Sequence, residues 1–320
     1  MIGKKYVANK NGKVKLKFSL EEIKAHQDFL STSELFQNAN SEKDELYNFY
    51  RNNPGRLFLL KKIEEMWRRF KGFSGDKNFV RQFSDEFLQR YWEIFLANSF
   101  INAEFELQKA PANGPDIKVK YKDKILWIEA ISVGCGITED FVPETVLNVV
   151  SHVPENQILL RLTSGFRTKL MKFEGYRQSG VVGENDLLVI AIDLSGLDLA
   201  SLADEMDMNP LAAKGFYGIG DLTWSVPIHP NKGDVITFFP ERKSIPRTQK
   251  DPIPANAMLD GNFRHISAVI TNVRNIIETT DDPKSLKIFI HKDCGDLEPK
   301  MFTFCRQFYC VENDHLVKKL

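Results

Sequence analysis

The sequence predicts an α/β protein, α+β in detail, with a mixed central sheet flanked by helices and an N-terminal helical prefix. Three observations carry this. Ile117, Val119 and Tyr121 alternate with Lys118, Lys120 and Lys122, the two-residue period of a strand with one buried face. Ile125 to Ile131 and Leu187 to Asp193 are nearly unbroken apolar runs, as expected of strands covered on both sides. Helix-period stretches stand around them, so that residues 84–193 read α-β-β-β-α-β.

In the prefix, residues 1–80, Leu20 to Leu30 reads as a helix with Ser19 as N-cap, and Ser41 to Asn52 as a second. Asn53-Pro54-Gly55 breaks the chain before a third helix, Leu57 to Phe70. Its Lys61, Lys62, Arg68 and Arg69, with Lys71 beyond, are either a solvated face or a phosphate-contacting surface. The second region, 81–320, holds a core at 84–193 with C-terminal additions. Ser84 to Phe100 is expected as a helix capped by Ser84, with Asp85 and Glu86 in its first turn and Phe87, Tyr91, Ile94 and Phe95 as its apolar stripe. Glu104 to Gln108 reads as a strand and 109–114 as a loop.

The turn of the following hairpin falls at Lys122-Asp123. Tyr121 then pairs with Lys124, Val119 with Leu126, Ile117 with Ile128, and Asp116 with Glu129. Val133-Gly134-Cys135-Gly136 ends the second strand, and a short helix is expected between Pro143 and Pro154. Gln157 to Arg161 reads as extended and Thr163 to Ser179 as a helix closed by Gly180. Leu162, Phe166, Leu170 and Phe173 turn to the sheet, leaving Arg161, Arg167, Lys169, Lys172 and Arg177 on the other faces. Beyond Asp193, Leu197 to Glu205 precedes a Gly-rich turn at Gly215, Gly218 and Gly220. A strand at Val235 to Phe239, a basic loop from Arg242 and Lys243 to Lys250, and strands at Ile266 to Thr271 and Leu286 to His291 read as additions to the same sheet.

The chain of 320 residues is long enough to bury a large core, and its 42% hydrophobic and 27% charged content is ordinary for a globular protein. Its formal net charge of zero excludes a global field that attracts nucleic acid, so such a partner requires a local basic patch. Met1 to Tyr6 lacks the apolar run of a signal peptide, and the run Leu187 to Ile192 is too short to span a membrane. Four cysteines without a CxxC fit a reducing, cytoplasmic setting. His291, Cys294, Cys305, Cys310 and His315 match no common zinc template, and buried free thiols are the simpler reading. There is no Walker A loop, GxGxxG after a strand, HExxH or GxSxG.

The chemistry centres on Asp116 and Glu129. The register sets them opposite each other, with Cβ atoms roughly 5 Å apart. A carboxylate in a strand as apolar as 125–131 needs a neutralising cation, either a divalent metal or a structural Lys or Arg. Pro115-Asp116, a short hairpin, and Glu129 ending an apolar strand resemble the PD-(D/E)xK nuclease superfamily, and the α-β-β-β-α-β order is similar to that superfamily's core. Trp127-Ile128-Glu129-Ala130, Arg161-Leu162-Thr163 and the Ile266 to Val269 strand are similar to segments of uncharacterised bacterial members. That likeness spans about residues 84 to 292 of the numbered chain and brings no established substrate.

The resemblance implies a restriction-endonuclease-like fold and Mg²⁺- or Mn²⁺-dependent hydrolysis of nucleic acid, expected to be DNA, with no membrane partner. Asp116 and Glu129 are then metal ligands, joined by Glu93 on the preceding helix, with Glu86 as its rival and the Ala130 carbonyl as a further donor. Glu93 and Glu86 read equally as surface acids of an amphipathic helix. The sequence departs from the pattern at Ile131, where the superfamily's lysine is expected. Lys169 or Lys118 must supply the ammonium. Lys169 is preferred, because it projects from the basic helix and lysines of the superfamily migrate to such elements; Lys118 faces Trp127 across the hairpin and reads equally as a cation–π partner. Arg161, Arg167, Lys172, Tyr176, Arg242 and Lys243 are the expected nucleic-acid contacts, although Arg161 equally suits a buried acid. Two alternatives stand beside this reading. One is a degenerate nuclease-fold domain that binds nucleic acid or a protein without cutting. The other is an α/β protein in which Asp116 and Glu129 belong to a structural ion-pair network.

Overall fold

The computed structural model describes residues 6–8, 14–16, 18–38, 41–137, 140–146, 152–205, 208–225, 236–275, 277 and 285–319. Its helices are α1 (Leu20–Thr32), α2 (Glu45–Arg51), α3 (Leu57–Phe70), α4 (Phe79–Phe83), α5 (Phe87–Asn102), α6 (Glu155–Gln178), α7 (Ala200–Glu205) and α8 (Leu211–Phe216). Its strands are β1 (Tyr6–Ala8), β2 (Val14–Leu16), β3 (Glu106–Gln108), β4 (Ile117–Tyr121), β5 (Lys124–Ser132), β6 (Leu187–Asp193) and β7 (Thr223–Ser225). Then come β8 (Ile236–Phe238), β9 (Ser244–Ile245), β10 (Ile253–Pro254), β11 (Ala268–Asn272), β12 (Lys287–Ile290), β13 (Gln307–Glu312) and β14 (His315–Lys319).

Eight strands form one mixed sheet in the order β14-β13-β12-β11-β6-β5-β4-β3. Its centre is the parallel trio β5, β6 and β11, with antiparallel neighbours on both sides. The hairpin takes the expected register, Ile117 opposite Ile128 and Tyr121 opposite Lys124, and Lys122 turns the chain with φ 57°.

Alternation along the strands divides the interior in two. Leu126, Ile128, Ala130, Val189 and Ile270 pack against α3, α4 and α5, in a core that reaches back to Leu35 and Phe36 of the prefix. Trp127, Leu188, Ile190, Ile192 and Val269 pack on the opposite side against α6 and α8. Burial of this apolar area is the main stabilising contribution, at about 25 cal/mol per Å². Among the described residues, no helix is long and apolar enough to cross a membrane.

The structure moves several boundaries. Ser84 ends α4 instead of starting the next helix, and α5 begins at Phe87. The Phe87 N–H is taken by Asp44 Oδ2 at 2.8 Å, a cap 43 residues upstream that no local pattern announces. Ser19 does cap α1, in a reciprocal arrangement with Glu22. Gln157 to Arg161 is not extended: α6 is one helix of 24 residues from Glu155. A short apolar run fits either period, and here Ile158, Leu159, Leu162 and Phe166 form one buried stripe.

The prefix also carries the β1–β2 pair, and the strand expected at Val235 to Phe239 is seen as β8, its Val235 lying outside the described residues. Neither β8, which pairs with β7, nor the β9–β10 pair joins the central sheet. β13 and β14 were not expected. Their two-residue turn is Asn313-Asp314, at φ 50° and 62°, the backbone a type I′ hairpin needs. Much of the helix expected between Pro143 and Pro154 falls outside the described residues; 141–146 are irregular.

Candidate functional site where β4 parts from β5

The β4–β5 ladder stops at Ile117 and Ile128, whereas β5 continues to Ser132 alongside β6. From Ala130 onward, the backbone groups of β5 that face β4 have no strand to meet. Two side chains take its place. Asp116, one residue before β4, accepts the Ala130 N–H at 2.7 Å through Oδ2. Gln89 of α5 donates to the Ala130 carbonyl from Nε2 at 3.1 Å and accepts the Ser132 N–H at Oε1, 2.8 Å. The Gln89 amide acts as a detached peptide unit and extends the ladder by one rung, giving the Ala130 carbonyl and the Ser132 N–H the partners a strand would supply.

Glu129 lies on the face of β5 that meets α6 and is fully buried. Lys169 of α6 donates to its Oε1 at 2.8 Å and stands 3.8 Å from Asp116 Oδ2, so one ammonium serves both acids. Lys172, half exposed, reaches the same Oε1 at 3.1 Å. Glu129 Oε2 is buried without a hydrogen-bond partner. Close approach of α6 makes the reach possible. A Cβ on Gly165 would stand 2.8 Å from Val133 Cγ1 and 3.5 Å from Ile131 Cγ2, so glycine lets the helix rest on β5 one turn before Lys169.

The charges follow one count: two carboxylates around one buried ammonium. Burial works against the charge on Lys169, but Asp116 and Glu129 outweigh it and hold the amine above its ordinary range. Burial, then repulsion from Asp116, pushes Glu129 upward. The two partners are thus displaced in senses that favour the lysine's charge and disfavour the acid's. Two anionic neighbours keep the ammonium charged, while burial keeps the charge on Glu129 costly even beside it. The Tyr176 phenol, two turns beyond Lys169, is raised by burial and then by Glu129 and Asp116, and keeps its proton.

Glu93 approaches from α5. Burial first and Asp116 second push its carboxyl up to about 8, against the opposing effect of Arg90. Its Oε1 accepts from Gln89 at 2.9 Å and from Arg90 at 3.2 Å. Arg90 also pairs with Asp76 at 3.1 Å and with Glu86 at 3.3 Å. Glu86, the rival helix acid, is engaged there.

Hard oxygen donors and an unpartnered buried Oε2 suit Asp116 and Glu129 to a divalent cation. Glu93 does not complete a third ligand. Among the described residues no group of three or more His, Cys, Asp or Glu side chains is arranged to hold a metal ion, for the three acids here or for the histidines and cysteines near the C-terminus. The Ala130 carbonyl, expected as a further donor to metal, already accepts from Gln89.

Other expected residues stand elsewhere. The Lys118 ammonium sits 5.1 Å from the centroid of a Trp127 ring, a cation–π contact. Arg161 donates from Nε to the Gly134 carbonyl at 2.7 Å and braces the loop after β5. Arg167 is exposed on α6. Arg242 pairs with Glu155 at 3.2 Å and Asp221 at 3.1 Å, two acids that also hold Lys214. Glu155 precedes Lys169 by 14 positions on α6, or about 21 Å of helix. Arg242 and the neighbouring exposed Lys243 are therefore not part of this site, because tertiary acids claim the arginine.

Two participants were missed. Gln89 precedes Glu93 by one helical turn, a spacing that could have marked it. Asp193 ends the apolar run of β6, and burial raises its carboxyl. It accepts from Ser132 Oγ at 3.0 Å, Asn272 Nδ2 at 2.7 Å and Ser195 Oγ at 2.9 Å, tying together the ends of the parallel trio. Comparison of the chain with protein-family models, curated proteins and solved structures gives no match.

Proposed function

We propose that the chain is a metal-dependent nuclease with a restriction-endonuclease-like fold, which hydrolyses phosphodiester bonds of nucleic acid, DNA in the first instance. The observation that carries this reading is the convergence of Asp116, Glu129 and the buried Lys169 ammonium where β4 leaves β5. Mg²⁺ or Mn²⁺, held by Asp116 and Glu129, supplies when bound a lowered water pKa and stabilisation of the charge on phosphorus. The chain's own groups do the rest. Lys169 arrives from α6 on the face where the superfamily's usual lysine would project, the position filled here by Ile131. Fixed and protonated, its ammonium stabilises negative charge as it develops on phosphate oxygen without further reorganisation. Tyr176, protonated and two turns beyond Lys169, offers a phenolic donor on the same side.

A groove of about 650 Å³ supports the choice of an anionic polymer. Lys77, Lys109 and Lys118 line it beside Trp127. Lys118 and Trp127 each lie two residues along their strands from an acid, about 7 Å away. Lysines so placed neutralise phosphates on a strand leading to the acids.

A second reading has its own observation. Lys169 and Lys172 already neutralise Glu129 Oε1, as they would in a domain that binds nucleic acid without cutting it. One titration separates the two. With Mg²⁺ or Mn²⁺, wild type should nick or degrade DNA, and Asp116→Ala or Glu129→Ala should abolish cleavage while leaving salt-sensitive binding intact. Binding without cleavage in either metal selects the second reading, and cleavage that persists in both variants overturns the site.

A further inference from the structure

A second cavity, of about 420 Å³, opens beyond the C-terminal end of β11, between α7, α8 and the β12–β14 strands. It contains none of the acids described above. Its nearer wall, β12, is three strands from β5, about 14 Å across the sheet.

Its charges are uneven. Asp204 pairs with Lys287, and Glu205 with Arg274. Two further cations line the cavity, Arg306 and Lys318. Neither pairs with a carboxylate among the described residues. Two polar groups buried on its wall, the Ser285 hydroxyl and Asn209 Nδ2, have no partner among the described residues. Ser285 is only 8% exposed, so solvent does not satisfy it. Leaving such groups unpaired is costly, and buried polar groups in folded proteins are rarely left so. The free groups are donors or cations, with an excess of two positive charges after the acids are matched. Tyr309, Val273 and Leu316 supply apolar wall for an uncharged body. The volume is that of a small-molecule site.

We infer that this cavity binds a small organic phosphate monoester. Arg306 and Lys318 meet the dianion, the Ser285 and Asn209 side chains turn toward it to donate to its oxygens, and the apolar wall holds the organic part. A nucleoside monophosphate has this chemistry. The inference is independent of the nuclease reading, because it uses none of the residues around Glu129.

The test is calorimetric titration of the full chain, in a chelator, with adenosine 5′-monophosphate, inorganic phosphate and adenosine. The monophosphate should bind more tightly than phosphate, and adenosine should not bind. Arg306→Glu and Lys318→Glu, both at exposed positions, should each weaken monophosphate binding by about tenfold or more. Ser285→Ala should weaken it by a few-fold, and Lys118→Glu, in the groove beside Trp127, should leave it unchanged. No binding of either phosphate, adenosine binding equal to the monophosphate, or full binding by Arg306→Glu would each overturn the assignment. So would loss of binding in Lys118→Glu, which would place the ligand in the groove beside Trp127.

Discussion

Replacing Lys169 with methionine removes the one buried cation shared by Asp116 and Glu129 while keeping much of its volume. Breaking a buried ion pair by deleting one partner costs about 3–5 kcal/mol, because the other charge is left stranded. The structure places this case within that range. Glu129 is fully buried and its Oε2 already lacks a partner, which raises the cost. Lys172 remains at 3.1 Å, half exposed, and keeps part of the neutralisation. The lower end, about 3 kcal/mol, follows. Urea unfolding at neutral pH, followed by circular dichroism, measures it.

The double variant Lys169→Met/Glu129→Gln should recover most of the loss, since no buried charge then needs a partner. The pH dependence has a definite sign. Glu129 has a folded-state pKa above its unfolded value of 4.5, so its ionisation costs stability as pH rises from there through the folded value. Without Lys169 that cost grows. The gap between variant and wild type should be small below 4.5 and widen toward neutrality. A loss under about 1 kcal/mol, flat with pH, would refute the claim that this ammonium neutralises the acids.

Two further outcomes test the α5 side. Glu93 ionises at about 8 in the folded protein against 4.5 unfolded, so it should make wild-type stability fall as pH rises between those values. Glu93→Gln should remove that slope, and equal slopes in urea midpoints for the two proteins would contradict the assignment. Gln89→Ala should cost about 2 kcal/mol by leaving Ser132 N–H and the Ala130 carbonyl without their partner, and should speed amide hydrogen exchange at Ser132. Unchanged exchange there would show that the rung is not closed by Gln89.

The hairpin register was legible because a two-residue period leaves little freedom: once Ile117, Val119 and Tyr121 face inward, the turn sets Ile117 opposite Ile128, and the next residues, Asp116 and Glu129, come within reach of one ammonium. Lys169 could be picked out only because a buried acid pair demands a cation and the basic helix offered one. Gln89 was hidden. Its role depends on where β4 ends relative to β5, a tertiary fact with no local mark. The surroundings of Arg242 were hidden for a related reason, since a basic stretch does not disclose which acids fold against it, here Glu155 and Asp221. The start of α6 failed on an ambiguity of period, and the β13–β14 turn was readable in Asn313-Asp314 but overshadowed by nearby cysteines and histidines.

Asp193 has a consequence for the order of assembly. Its carboxylate is satisfied by Ser132, 61 residues earlier, and by Asn272, 79 residues later. Each contact closes a long loop, and such closures are slow because chain entropy is lost before the contact gives anything back. Until both arrive, the carboxylate is drawn into an apolar interior with only the local donors of Ser195, which opposes partial docking of the trio. The end of β5 that carries Glu129 is therefore expected to be fastened late, when residues from both halves of the chain have come together, and pulse-labelled amide exchange at Ser132 during refolding checks it. A nascent or truncated chain ending before Asn272 would hold Asp116, Glu129 and Lys169 in its sequence and still lack the fixed strand end on which they converge.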